Sequence, residues 1–237
     1  MELVILVLFF VIIRQLLSFD CNSQTLEYIL MFVTQLVGLF LPVYIVKKLQ
    51  KESLLTKEDF KIKPFDVLCA FLVGTGLQFV SSLINMPVLY VLSKFGYEFS
   101  SNITMPENSI FIAPYMVISC ITPAFFEEIF FRKYAFEYLK KYSVWIAVIL
   151  SAVIFAVLHF EITLVMCVFF LGIILALYIK NGYPVIFTMI VHFSNNLSGL
   201  VLQSSGENVI YFLNKYFCLF AVLSICIIIF TFKRKPQ

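Results

Sequence analysis

Ala124-Phe125-Phe126-Glu127-Glu128-Ile129-Phe130-Phe131-Arg132 sets two adjacent carboxylates and a guanidinium inside an otherwise apolar stretch. A charge near the middle of a bilayer costs about 2.5 kcal/mol or more on insertion scales. Such residues need a partner or a task, so the stretch reads as a polar site inside a membrane helix.

The rest of the chain agrees. It is 62% apolar and 13% charged, whereas soluble domains are about half apolar and a quarter charged. The mean hydropathy is +0.99. A membrane helix needs about 20 apolar residues. Eight candidate spans follow, at 2–18, 26–46, 65–93, 109–138, 144–160, 162–180, 184–204 and 208–232. The fold class is therefore all-α, a polytopic membrane protein of about eight helices forming one domain over 1–237. Pro87 and Pro123 are expected kink points, since each removes a backbone donor and crowds the preceding turn.

Charge sets the expected topology. Lys47, Lys48, Lys51, Lys57, Lys61 and Lys63 share one connection. Lys133, Lys140 and Lys141, then Lys180, then Lys233, Arg234 and Lys235 fall on the same side if there are eight spans. Asp20, Glu98, Glu107, Glu161 and Glu207 fall on the other, with Lys94 and Lys215. The positive-inside rule then puts both termini in the cytoplasm. This distribution argues for a multi-pass cell-membrane protein and against nucleic-acid binding. Met1-Glu2-Leu3-Val4 lacks a basic n-region, so the first apolar run is expected to be a helix and not a cleaved signal. Arg14 in that span is expected to snorkel to a surface.

The six cysteines, Cys21, Cys69, Cys120, Cys167, Cys218 and Cys226, form no C-x-x-C pair and read as packing residues. Gly74-Thr75-Gly76 and Gly172 to Ala176 are expected points of close helix approach. No internal repeat of the kind transporters carry is visible.

Three spans hold unusual polar residues. Glu128 and Arg132 are four apart and share a helix face, as do Phe155 and His159, and His192 and Asn196. Glu127 is turned by about 100° from Glu128. At 1.5 Å per residue, Glu127, His159, His192 and Asn196 lie about 14–24 Å from the lysine-rich side. A single polar pocket near mid-membrane is expected. A lone intramembrane His or Asn usually makes an interhelical hydrogen bond, and one Glu–Arg pair can be structural; the coincidence of all three pieces favours function. Depth and spacing suit a proton-coupled transporter nearly as well as a hydrolase.

Glu127-Glu128-x-x-x-Arg132, Phe155-x-x-x-His159 and His192-x-x-x-Asn196 together resemble the three-motif signature of the CPBP family, the type II CAAX prenyl endopeptidases and bacterial Abi-type proteins. The likeness covers a core of about 120–200. It implies intramembrane proteolysis of a membrane-associated peptide or protein. In it Glu127 is the general base on water, and His159 helps hold that water. His192 and Asn196 stabilise the oxyanion, Arg132 pairs with Glu128, and Glu128, Arg132 and Phe155 support the site. A carboxylate in a low-dielectric pocket is a stronger base than one in water, and an imidazole and an amide on one face suit an oxyanion hole. Glu127, His159 and His192 are a conceivable zinc set, but H-E-x-x-H is missing. No metal or other cofactor is expected, with zinc as the alternative. The Phe-, Ile- and Lys-rich composition looks like a low-GC Gram-positive bacterium. There the family is linked to bacteriocin immunity and to processing of exported peptides. The alternatives are a proton-coupled transporter and a non-catalytic, peptide-binding immunity protein.

Overall fold

The computed structural model describes residues 1–18, 23–97, 106 and 108–234. Asp20, Cys21, Glu98, Glu107 and Lys235 lie outside them. Among the described residues the chain is helical, without strands. The helices are α1 (Glu2–Leu17), α2 (Thr25–Leu49), α3 (Pro64–Lys94), α4 (Ser109–Lys140), α5 (Val144–Val157), α6 (Val165–Lys180), α7 (Val185–Ser204), α8 (Glu207–Lys215) and α9 (Phe217–Lys233). Of these, α2, α3, α4 and α7 are long and apolar enough to cross a bilayer, and α5, α6 and α9 are shorter apolar helices. The protein is a multi-pass membrane protein.

Each expected span has a helical counterpart, with two departures. The eighth divides at Tyr216 into α8 and α9. The segment Glu207–Lys215 mixes charges and amides with its apolar residues, unlike the uniformly apolar run after it. The fifth stops at Val157, and the chain turns through Leu158 and Phe160, the latter at φ 57°. His159 therefore sits on a turn beyond α5 and not on the helix itself.

Helix α3 is the centre of the bundle, packed against α7, α9 and α6, while α5 and α6 form an antiparallel pair. Glycines set the distances. A Cβ on Gly74 would lie 1.9 Å from Ser194 Oγ and 2.1 Å from the Val191 carbonyl oxygen. One on Gly172 would lie 3.0 Å from the Ala152 Cβ. These are the close approaches expected of small residues between membrane helices.

Two long helices change pitch. π-Helical turns occupy Leu36–Phe40 in α2 and Val117–Ile121 and Ile129–Ala135 in α4. Pro42 and Pro123 each follow such a turn by two residues. A proline cannot donate to the preceding turn, and a widened turn accommodates the missing bond. Pro87, in contrast, lies within an unbroken α3.

The lysine-rich connections gather at one end of the bundle. Lys133 Nζ lies 2.7 Å from Asp59 of the α2–α3 connection. The Met1 ammonium donates to the Tyr138 hydroxyl at 2.9 Å. Arg234 Nη1 lies 2.9 Å from Asp66 at the start of α3. Met1 and Arg234 are thus both at the lysine-rich end.

Candidate active site

The site is assembled on α4. Its second π turn begins directly after Glu128, and Glu128, Arg132 and most of the turn are fully buried. Burying two opposite charges is tolerable only if they meet each other and other donors or acceptors. Arg132 Nε donates to Glu128 Oε2 at 3.2 Å, and Arg132 Nη1 to Ser151 Oγ on α5 at 3.4 Å. The pair expected from the four-residue spacing is present.

The other carboxylate faces elsewhere. Glu127 Oε2 is buried and has no hydrogen-bond partner. His192 Nε2 on α7 lies 3.9 Å from it, outside hydrogen-bond reach. The opposite ring nitrogen, Nδ1, lies 3.1 Å from Glu128 Oε1. His192 thus lies between the two glutamates, hydrogen-bonded to Glu128 alone and with its other ring nitrogen facing Glu127. The helix spacings foresaw no contact between His192 and Glu128, because it joins residues 64 positions apart.

His159 is held from below. Its Nδ1 lies 2.7 Å from the Phe155 carbonyl oxygen. A carbonyl only accepts, so Nδ1 carries the proton and Nε2 keeps its lone pair. The Phe155 ring packs edge-on against both imidazoles, with centroids 4.8 Å from His159 and 5.7 Å from His192. It also lies under the Arg132 guanidinium, 5.2 Å away. The supporting part given to Phe155 has this physical content: one ring touches three polar members of the site. Asn196 is tied to α4, its Nδ2 donating to the Ser119 carbonyl at 3.5 Å.

A cavity of about 340 Å³ brings Glu127, His159, His192 and Asn196 onto one wall system, with Gln78, Ser119 and Asn195. Glu128 and Arg132 do not line it. Glu127, His159 and His192 share the wall, yet among the described residues no group of three or more His, Cys, Asp and Glu is arranged to hold a metal ion.

Two residues at the site had no role in the sequence pattern. Ser151 accepts from Arg132, and nothing in an apolar helix marks one serine above another. Arg14 does not snorkel to a surface. Its guanidinium donates to the carbonyls of Leu158 at 2.8 Å and His159 at 3.2 Å, and sits 4.6 Å over the Phe160 ring. It completes the carbonyls left open where α5 ends, and it lines a small void together with Glu127 and His159. A lone arginine in the first span was the available signal.

Residues 109–198 match the family described as Type II CAAX prenyl endopeptidase Rce1-like. No curated protein and no solved structure matches the chain. The matched stretch runs from the start of α4 into α7 and holds all seven motif residues. Over that stretch the chain is similar to this family of membrane-embedded, CAAX-type proteases, the CPBP family.

Proposed function

We propose that the protein is an intramembrane endopeptidase in which Glu127 activates water against a peptide bond of a membrane-associated peptide or protein. The observation that carries the reading is the Glu127 carboxylate: a buried oxygen without a partner, on the wall of a cavity shared with two imidazoles and an amide. A base must have its lone pair free and within reach of the water it deprotonates.

The residues divide the work as follows. His159 Nε2, with its lone pair toward the cavity, accepts a hydrogen bond from the water. Glu127 takes a proton from that water as its oxygen bonds to the carbonyl carbon. The carbonyl π electrons move to oxygen, and Asn196 Nδ2–H and protonated His192 Nε2–H donate to the oxyanion. The oxyanion then collapses, the C–N bond breaks, and the proton on Glu127 passes to the leaving nitrogen. Donors of this kind contribute about 10²–10³-fold each in soluble proteases.

We propose that no metal takes part. His192 has Nδ1 on the Glu128 carboxylate, and His159 has Nδ1 on a main-chain carbonyl, which leaves organic acid–base chemistry sufficient for the reaction. The proposed setting is a bacterial cell membrane with the lysine-rich end in the cytoplasm. There the enzyme would process exported peptides or confer immunity to a bacteriocin.

The test is hydrolysis of short membrane-associated peptides by purified protein in liposomes, with and without a strong chelator. Wild type should cleave in both conditions, and Glu127→Gln should lose about 10²–10⁴-fold in rate. Undiminished cleavage by Glu127→Gln removes the assigned base. Loss of activity on chelation, restored by zinc, makes Glu127, His159 and His192 a ligand set instead.

A further inference from the structure

We infer that the catalytic cavity is served from the end of the bundle opposite the lysine-rich one, so its substrate is an uncharged internal segment of an extracytoplasmic, membrane-associated peptide. The substrate half of this rests on the proteolytic reading above; the access half does not.

Helix directions establish the opening. Helix α7 starts next to Lys180 and runs away from the lysine-rich end. The cavity holds His192 and Asn196 early on α7 and continues past them along Gly199, Leu200 and Gln203. Helix α4 runs the other way, toward Lys140. Along it the cavity takes Tyr115, Ser119, Pro123 and finally Glu127, and includes nothing later. Both helices therefore place the open part of the cavity beyond Glu127 and His192, away from the lysines.

The other direction is closed. Directly after Glu128, residues Ile129, Phe130, Phe131, Tyr134, Ala135 and Phe136 are each 3% exposed or less. Ala147, Leu175 and Phe187 from α5, α6 and α7 are fully buried in the same core. A polar cavity does exist at the lysine-rich end, among Glu2, Lys47, Tyr138 and Lys141, but it contains none of the seven motif residues. A second cavity of about 310 Å³, between α1, α2 and α4, also reaches Glu127. It runs past Arg14 and Thr34 to Ser18 and Glu27, at the end where α1 finishes and α2 begins. Two separate cavities thus reach the same carboxylate from the same end.

Charge gives that end its side. The 47–63 connection, Lys133 to Lys141, Lys180, Lys233 and Arg234 lie at one end, and Lys94 and Lys215 at the other. This asymmetry places the lysine-rich end in the cytoplasm and the cavity in the outer half of the membrane.

The lining gives the substrate. No lysine or arginine lines the catalytic cavity among the described residues, and its one carboxylate is Glu127. A free C-terminal carboxylate brought here would meet no lysine or arginine and would lie beside the Glu127 carboxylate, which is costly away from water. Neutral groups line it instead, including Gln78, Asn195, Asn196 and Gln203. Ser81 Oγ and Asn195 Oδ1 are buried acceptors without partners, suited to the N–H groups of a bound peptide backbone. The volume, about 340 Å³, falls at the small end of ligand pockets, roughly 300–1,000 Å³.

The experiment has two arms. In the first, the six native cysteines are replaced by serine, and Gln203→Cys and Lys141→Cys are exposed to a membrane-impermeant maleimide on intact cells. Gln203→Cys should label on intact cells, and Lys141→Cys only after permeabilisation. A fluorescent protein fused after Gln237, with all cysteines kept, should resist protease added outside. The reverse labelling, or a fusion digested from outside, overturns the assignment. In the second arm, liposome-embedded wild type receives one peptide as free acid and as C-terminal amide. The amide should be cleaved at least as fast, and a strict requirement for the free carboxylate overturns the substrate class. Labelling in the expected pattern by a protein that hydrolyses no peptide upholds the access route and removes the proteolytic reading.

Discussion

The Nδ1 of His192 lies 3.1 Å from Oε1 of Glu128, on the side of the ring away from Glu127. The carboxylate can only accept, so that nitrogen carries the proton, and the ring is locked with Nε2 toward the cavity. Glu128 thereby accepts from two partners, the Arg132 guanidinium and the His192 imidazole, without touching the cavity itself.

That arrangement separates the two adjacent glutamates by experiment. In Glu128→Gln the buried Arg132 loses its counter-ion, and its Nη2 already has no partner. Breaking a buried pair on one side costs about 3–5 kcal/mol. Thermal unfolding in detergent should show Glu128→Gln strongly destabilised, and Glu127→Gln close to wild type. Equal unfolding temperatures for both variants would contradict the division of roles.

Arg14 tethers the turn that carries His159. Arg14→Ala should lower the turnover of peptide cleavage, because the Leu158 and His159 carbonyls lose their donors and the His159 ring loses its fixed position. Hydrogen bonds to a charged group are worth about 1.5–3 kcal/mol. Arg14→Lys should recover part of the loss, since an ammonium can serve one carbonyl but lacks the planar fork. A residue that merely snorkelled would give wild-type kinetics in both variants.

Gly74 sets how closely α3 approaches the helix bearing His192. Its absent Cβ would overlap the Val191 carbonyl, which is backbone and cannot swing aside. Gly74→Val should cost about 1–3 kcal/mol as overpacking and reduce cleavage by displacing the neighbouring His192. Gly199→Ala is the control, since a Cβ there lies in ordinary contact, 3.5 Å from Gln78. Thermal unfolding and cleavage rates on both variants check this.

Outside the membrane, Asp59 gives a pH signature. Burial alone would raise its pKa, but the Lys133 ammonium and the Thr56 hydrogen bonds together outweigh that and hold it below its usual 3.8. A depressed carboxylate adds stability above its unfolded pKa, and loses it as pH falls through the folded value. The tie between the α2–α3 connection and α4 should therefore loosen below about pH 4. Proteolytic nicking of the 50–63 segment should rise at acid pH, and Lys133→Ala should move that rise to higher pH. Nicking that ignores both pH and Lys133 would remove the tie from the account.

Much of the helical plan was legible in the sequence because a bilayer constrains it locally. Apolar runs and lysine clusters are one-dimensional signals, and they marked a helix for each expected span. Where the signal was graded, the boundaries moved. Tyr216 interrupts a run that looked continuous, and His159 lies just beyond the helix that Phe155 belongs to. The Glu128–Arg132 pair was legible too, since four residues bring side chains together along one helix whatever surrounds it.

What the sequence by itself determined is the membrane class, the positions of the helices and the identity of the seven motif residues, all of which depend on neighbours along the chain. Only the tertiary structure decided that His192 binds Glu128 and lies between the two glutamates, that Arg14 caps the turn bearing His159, and that the cavity opens away from the lysines. Each of those depends on which helices pack side by side. Packing is fixed by contacts such as Gly74 against Val191, between residues more than a hundred positions apart, and no local pattern encodes such a distance.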